Sequence, residues 1–212
     1  MQKGKLSKKL LMSVGALGAA AAIAGLGTYA TFTSTTSASQ TFTAGKVSIA
    51  LGAVGAANRL TVNATDVVPG DTINRAVDLV NSSTDGLKTV SLATTATASS
   101  ILDTDTTTGL KMYIQSCSLP TGWVEAGSAP AYTYTCPLGT VTNVLGTSSS
   151  PVAVVQTANV TPLSALSSGS STDHLLVTLT LPQANTVANL STPPSSTILY
   201  SFTGTQRDGT NR

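Results

Sequence analysis

His174 is the only histidine of this 212-residue chain, and it follows Asp173 directly. A Ser-His-Asp relay would need a nucleophile on a sharp turn, and no G-x-S-x-G sequence is present. Zinc hydrolysis takes about three protein ligands and a general base. The chain has no H-E-x-x-H, and Glu125 is its one glutamate. A lone histidine ahead of Leu175-Leu176 therefore reads as a polar residue at a strand start, and no catalytic residue is assigned. Asp103 and Asp105 form a D-x-D pair of the kind that contacts calcium, but the rest of a calcium loop is missing, so a solvated turn is expected. No phosphate-binding glycine loop occurs, and neither a metal nor another cofactor is expected. Asn63, Asn81, Asn159 and Asn189 each open an N-x-S/T sequon, which a Ser/Thr-rich chain produces by chance.

Cys117 and Cys136 are the only cysteines. They are not spaced as C-x-x-C, and no third thiol exists to complete a metal set. In an exported protein such a pair forms a structural disulfide. The loop it closes is worth on the order of 3 kcal/mol in chain entropy. Between them lie Trp123, Tyr132 and Tyr134, which either build a small aromatic platform for a ligand or cover the core beneath the loop, the commoner fate of such rings.

Export follows from the first thirty residues. Lys3, Lys5, Lys8 and Lys9 form a basic start, and an apolar Ala/Gly-rich run of about 17 residues follows, short for a spanning helix. Small residues then lead to Ala30. This is the pattern of a cleavable helical signal peptide, with the cut between Ala30 and Thr31. The mature chain is expected outside the cell, touching the membrane only transiently through its leader. Without those four lysines, seven cations face nine acids. No basic patch remains, so nucleic acid is not an expected partner.

Charged residues make up 9% of the chain, against roughly 25% in an ordinary soluble domain. The 41% of apolar residues, many β-branched, is enough for a core. Alternation dominates. Val47, Ile49 and Leu51 share one face, and short runs of the same kind occupy 59–64, 73–81, 89–96, 111–116, 152–156, 175–181 and 197–203. Turn residues at 69–71, 83–86, 120–122, 137–139 and 193–194 separate them. The stretches 103–109, 116–139 and 163–173 read as irregular, the last as a mobile connection. Seven or eight such strands predict an all-β fold, an antiparallel two-sheet sandwich of jelly-roll type. Residues 1–30 are then the leader and 31–212 one domain, with 116–139 as a disulfide-containing insertion.

The order of these features resembles a known family. The junction Gly27-Thr28-Tyr29-Ala30-Thr31-Phe32 is followed by Thr41-Phe42-Thr43-Ala44-Gly45. Val67-Val68-Pro69-Gly70-Asp71 precedes a strand ending at Asn81, and the C-terminal part reads Ile198-Leu199-Tyr200-Ser201-Phe202-Thr203-Gly204. This is similar to the TasA/CalY (camelysin) family, most closely at 1–51, 60–81 and 175–206. The resemblance implies export with a SipW-type signal peptidase as partner and a jelly-roll sandwich that polymerises with itself into fibres of a biofilm matrix. It also implies a donor strand at 31–40 (Thr31, Phe32, Thr33, Thr35 and their neighbours), which leaves its own subunit to complete a sheet in the next. That segment is uncharged, proline-free and β-prone, and needs a sheet edge to satisfy its backbone. The family also carries a metalloendopeptidase label, for which this sequence offers no ligand set. A camelysin-type peptidase and a monomeric surface adhesin are the two rival readings.

Overall fold

The computed structural model describes residues 48–64, 66–163, 165–185 and 193–209. The chain divides into two units, Met1–Ala44 and Gly45–Arg212, and every described element belongs to the second. The strands are β1 (Ile49–Leu51), β2 (Thr72–Asn81), β3 (Leu87–Ala98), β4 (Lys111–Cys117), β5 (Val124–Ser128), β6 (Ala131–Thr135), β7 (Val141–Leu145), β8 (Val152–Ala153), β9 (Gln156–Asn159), β10 (Ser171–Thr180) and β11 (Thr197–Gln206). One short helix, α1 (Ile101–Thr104), follows β3, and a 3-10 turn spans Ala165–Ser167.

The structure is mostly β, and its strand pairings are antiparallel, as the alternation predicts. The large sheet runs β1-β2-β10-β4-β7, with β8 also on β4; the small sheet runs β11-β3-β9; β5 and β6 form a separate hairpin. Period-two side-chain placement decides what each sheet buries. In the large sheet Val77 pairs with Leu175 and Arg75 with Val177, while Asp78 pairs with His174, which pairs with Cys117. Val77, Leu79, Met112, Ile114, Leu175 and Val177 of this sheet join Leu87, Val90 and Leu92 of β3 in one core cluster. Tyr200 and Phe202 of β11 pack against the same cluster. Each fully buried aliphatic side chain contributes about 1.5–3 kcal/mol relative to exposure, and this term holds the two sheets to one interior.

The outer face of the small sheet is of another character. From β3 it shows Thr89, Ser91, Ala93, Thr95 and Thr97, and from β11 Thr197, Leu199, Ser201, Thr203 and Thr205; these are exposed or half-buried. The register sets Thr203 beside Ser91 and Ser201 beside Ala93, with Asn159 and Thr157 of β9 continuing the two rows.

Several expectations need correction. Residues 59–64 are not a strand. Asn58 accepts the amide of Leu60 on its side chain, and Val62 N donates back to Arg59 O, so the backbone turns instead of extending. The run 152–156 is two strands: β8 pairs with β4, β9 with β3, and the chain changes sheets at the buried Val154. Residues 163–173 are not a loose connection, because Leu166 is buried in the core and its amide is bound by Asp173. The insertion 116–139 contains the β5–β6 hairpin rather than irregular chain. The polar stretch 103–109 begins inside α1, and β7 is a strand that alternation did not mark.

Candidate functional site

The disulfide between Cys117 and Cys136 is formed, with Cα atoms 5.9 Å apart across a separation of 19 residues. It staples the end of β4 to the far side of the β5–β6 hairpin. Arg59 holds the hairpin from the opposite side: its Nε and Nη2 donate to the two carboxylate oxygens of Glu125 at 2.9 and 2.6 Å. Tyr134 donates its hydroxyl to Glu125 at 2.9 Å. The Arg59 guanidinium also lies 4.7 Å from the centre of the Tyr132 ring, with Arg75 5.8 Å away. The hydrogen bonds from Arg59 hold the Glu125 carboxyl below the usual carboxylate range against the effect of burial, with Tyr134 adding to them. Burial, then the bond to Glu125, pushes the Tyr134 hydroxyl up to about 12.

These contacts answer the aromatic-platform question. Tyr132 and Tyr134 are 6.3 Å apart and tilted by 43°. They are engaged by Arg59, Arg75 and Glu125 rather than presented together as an open stacking surface. Trp123 is turned onto the large sheet, where its indole N–H donates to the carbonyl of His174 at 3.0 Å.

His174 therefore serves as the seat of the insertion. Its Nδ1 lies 2.7 Å from Asp78 Oδ1, the cross-strand neighbour fixed by register. The Asp78 bond raises the imidazole pKa above 6.5 against burial, and the Pro120 carbonyl adds to the rise. A neutral imidazole offers one N–H, whereas these two acceptors are both satisfied by the protonated ring. Gly122 passes directly over it: φ is +76°, and a Cβ there would lie 2.7 Å from His174 Nδ1. Both the conformation and the approach require glycine.

Asp173, Asp103 and Asp105 are each taken up by structural hydrogen bonds. Asp173 is buried, accepting from Ser116 Oγ at 3.1 Å and Leu166 N at 3.2 Å. Asp103 closes a capping box on α1 with Ser100 and also accepts from Ser99 and Ser196. Burial pushes its carboxyl up, but the bonds from Ser196, Ser99 and the Ser100 amide outweigh that and hold it below the ordinary value. Asp105 binds the amides of Thr107 and Thr108 at 2.8 and 2.9 Å and the Thr108 hydroxyl. The D-x-D pair is thus two turn-closing carboxylates, each facing its own donors. Among the sequons, Asn81 is fully buried, and its side-chain amide holds the carbonyls of Asp85 and Ser168. Asn63 and Asn159 are exposed, and Asn189 lies outside the described residues.

The other notable feature is an edge. Among the described residues β11 is the last strand of the small sheet, ten residues long and bonded on one side to β3. It contains no charged residue and no proline. Where nothing covers it, an edge strand presents a row of unpaired N–H and C=O groups, and one without charge or proline lacks the usual protection against pairing with another chain. The residues assigned to leader cleavage and strand donation, Ala30, Thr31, Phe32, Thr33 and Thr35, lie outside the described residues.

Fold and site together define a mostly-β, disulfide-stapled protein whose small sheet ends, among the described residues, on an uncharged strand. The chain belongs to the camelysin metallo-endopeptidase family, whose sequence pattern it matches over residues 5–116. No curated protein matches it significantly. The family description implies a metal, and the donors of this chain do not fit one. Among the described residues, which include every Asp, Glu, His and Cys of the sequence, no three such groups converge. His174 Nδ1 is taken by Asp78 and Glu125 by Arg59. No catalytic step is derived through a metal.

Proposed function

We propose that this is an exported structural protein of the bacterial cell surface or biofilm matrix, a jelly-roll-like two-sheet sandwich that polymerises by exchanging strands. The sandwich reading rests on the single core cluster that both sheets feed. The function rests on the ten-residue uncharged outer edge of β11. A complementary strand of the right chemistry is available in the chain itself. After cleavage between Ala30 and Thr31 by a SipW-type signal peptidase, residues 31–40 begin the mature protein, uncharged and proline-free. Docked on the β11 edge of a neighbour, that segment exchanges solvent hydrogen bonds for ladder bonds. The contact is head-to-tail, so it does not close on itself and generates an open fibre.

Electron microscopy of the mature chain, with and without residues 31–40, tests this. Filaments are expected only when the segment is present, and equal filament formation by both forms would refute strand donation.

The family description favours a second reading, a metal-dependent endopeptidase. Chelator-sensitive cleavage of casein by the pure protein, abolished by His174→Ala, would establish it.

A further inference from the structure

We infer that the outer face of the small sheet is a lateral contact surface for a second copy of this chain, too weak to join two free molecules and effective between ordered arrays of them. Three observations carry this. Among the described residues its only charged strand residue is Lys88 at one end of β3, paired there with Asp208, and the rows from Ser91 to Thr97 and Thr197 to Thr203 carry none, whereas soluble surfaces are roughly 25–35% charged. Its side chains are short, and the register Thr203–Ser91–Asn159 and Ser201–Ala93–Thr157 lines them up in level rows. Its one large apolar group, Leu199, is 55% exposed.

The chemistry selects a copy of itself as partner. The rows have no charge to recruit an ionic ligand, Lys88 at their end being paired with Asp208, and no aromatic ring to stack on a sugar. Two identical faces meet without like-charge repulsion, and short side chains let them approach to the sheet-stacking distance of about 10 Å. Strand spacing of about 4.8 Å and a same-side repeat of about 6.8 Å give the face a footprint of roughly 400 Å². Two such footprints fall near the ~800 Å² of casual crystal contacts and below the ~1,200 Å² of stable complexes. A single contact therefore dissociates, while many in register hold by multivalency. In the setting of the fibre proposed above, on which its biological meaning rests, this face would bundle filaments side by side.

The test is mature chain (residues 31–212) attached densely by its C-terminus to beads, with clustering followed by light scattering. Wild-type beads are expected to cluster, and Thr95→Lys/Thr203→Lys beads to cluster at least tenfold more slowly. Beads of Thr95→Glu/Thr203→Glu are expected to behave like the lysine variant alone but to cluster when mixed with it. That rescue separates charge at the face from loss of fold. Failure of wild-type beads to cluster, equal clustering by the lysine variant, or failure of the mixture would each overturn the inference. So would retention of wild-type protein on insoluble polysaccharide without bead clustering. Filaments of free protein are scored separately: clustering without filaments sinks strand donation and leaves the lateral surface standing.

Discussion

Reduction of the Cys117–Cys136 disulfide perturbs the molecule without changing its sequence. The cysteines are 19 residues apart, so the bond closes a loop of about 20 residues. Chain-entropy arithmetic for such a loop gives about 3 kcal/mol at 25 °C. The loop is not passive chain: it carries the hairpin anchored by Arg59–Glu125 and by Trp123 on His174. Those anchors persist in the reduced folded state, so the loss falls chiefly on the unfolded side of the equilibrium. For a unit of this size each 1 kcal/mol moves Tm by about 2–4 °C, and the reduced mature chain should melt about 6–12 °C below the oxidised one. Matched calorimetric scans with and without a phosphine reductant, with thiols alkylated afterwards to confirm their state, make the measurement. A fall under about 2 °C in fully reduced protein would show that the loop is already restricted in the unfolded chain and that the entropic account is wrong.

Other perturbations have equally definite outcomes. Glu125→Ala removes three hydrogen bonds, two from a guanidinium, and should cost about 2 kcal/mol; in a double-mutant cycle with Arg59→Ala in urea, the two losses should be clearly less than additive. His174 has a raised folded pKa, so its contribution is complete below about 6.5 and is lost as pH rises through the folded value; Asp78→Asn should flatten that alkaline slope in Tm. Asp103 and Glu125 have depressed folded pKa values, so their contributions hold above about 4 and fade on further acidification, which makes a Tm plateau near pH 5–6.5. Leu92→Ala, at a position with no exposure in β3, should cost about 2–5 kcal/mol by denaturant midpoint.

The sequence revealed the elements whose neighbours are met by simple alternation. In β4, Met112 and Ile114 point inward between half-buried Lys111, Tyr113 and Gln115, and β11 alternates for most of its length. It concealed what depends on distant partners. The burst of apolar residues at 152–155 reads as one strand because nothing local signals that β8 and β9 belong to different sheets. β7, Val-Thr-Asn-Val-Leu, does not alternate, because Val144 and Leu145 are adjacent, and it forms because β4 offers it an edge. Leu176 alternates toward the outer side of β10 yet is buried, on the face where His174 seats the insertion. The Arg59–Glu125 clamp spans 66 residues, and no spacing rule links its halves. The cysteine pairing, by contrast, was legible from a count of two cysteines and the expectation of export.

The small sheet also constrains when this protein can fold. Its central strand, β3, ends at Ala98, yet finds its neighbours in Gln156–Asn159 and Thr197–Gln206. Nearly the whole polypeptide must be synthesised before that sheet can assemble. Contacts so remote in sequence form slowly, so the small sheet consolidates late, after the chain that supplies its outer strands is complete.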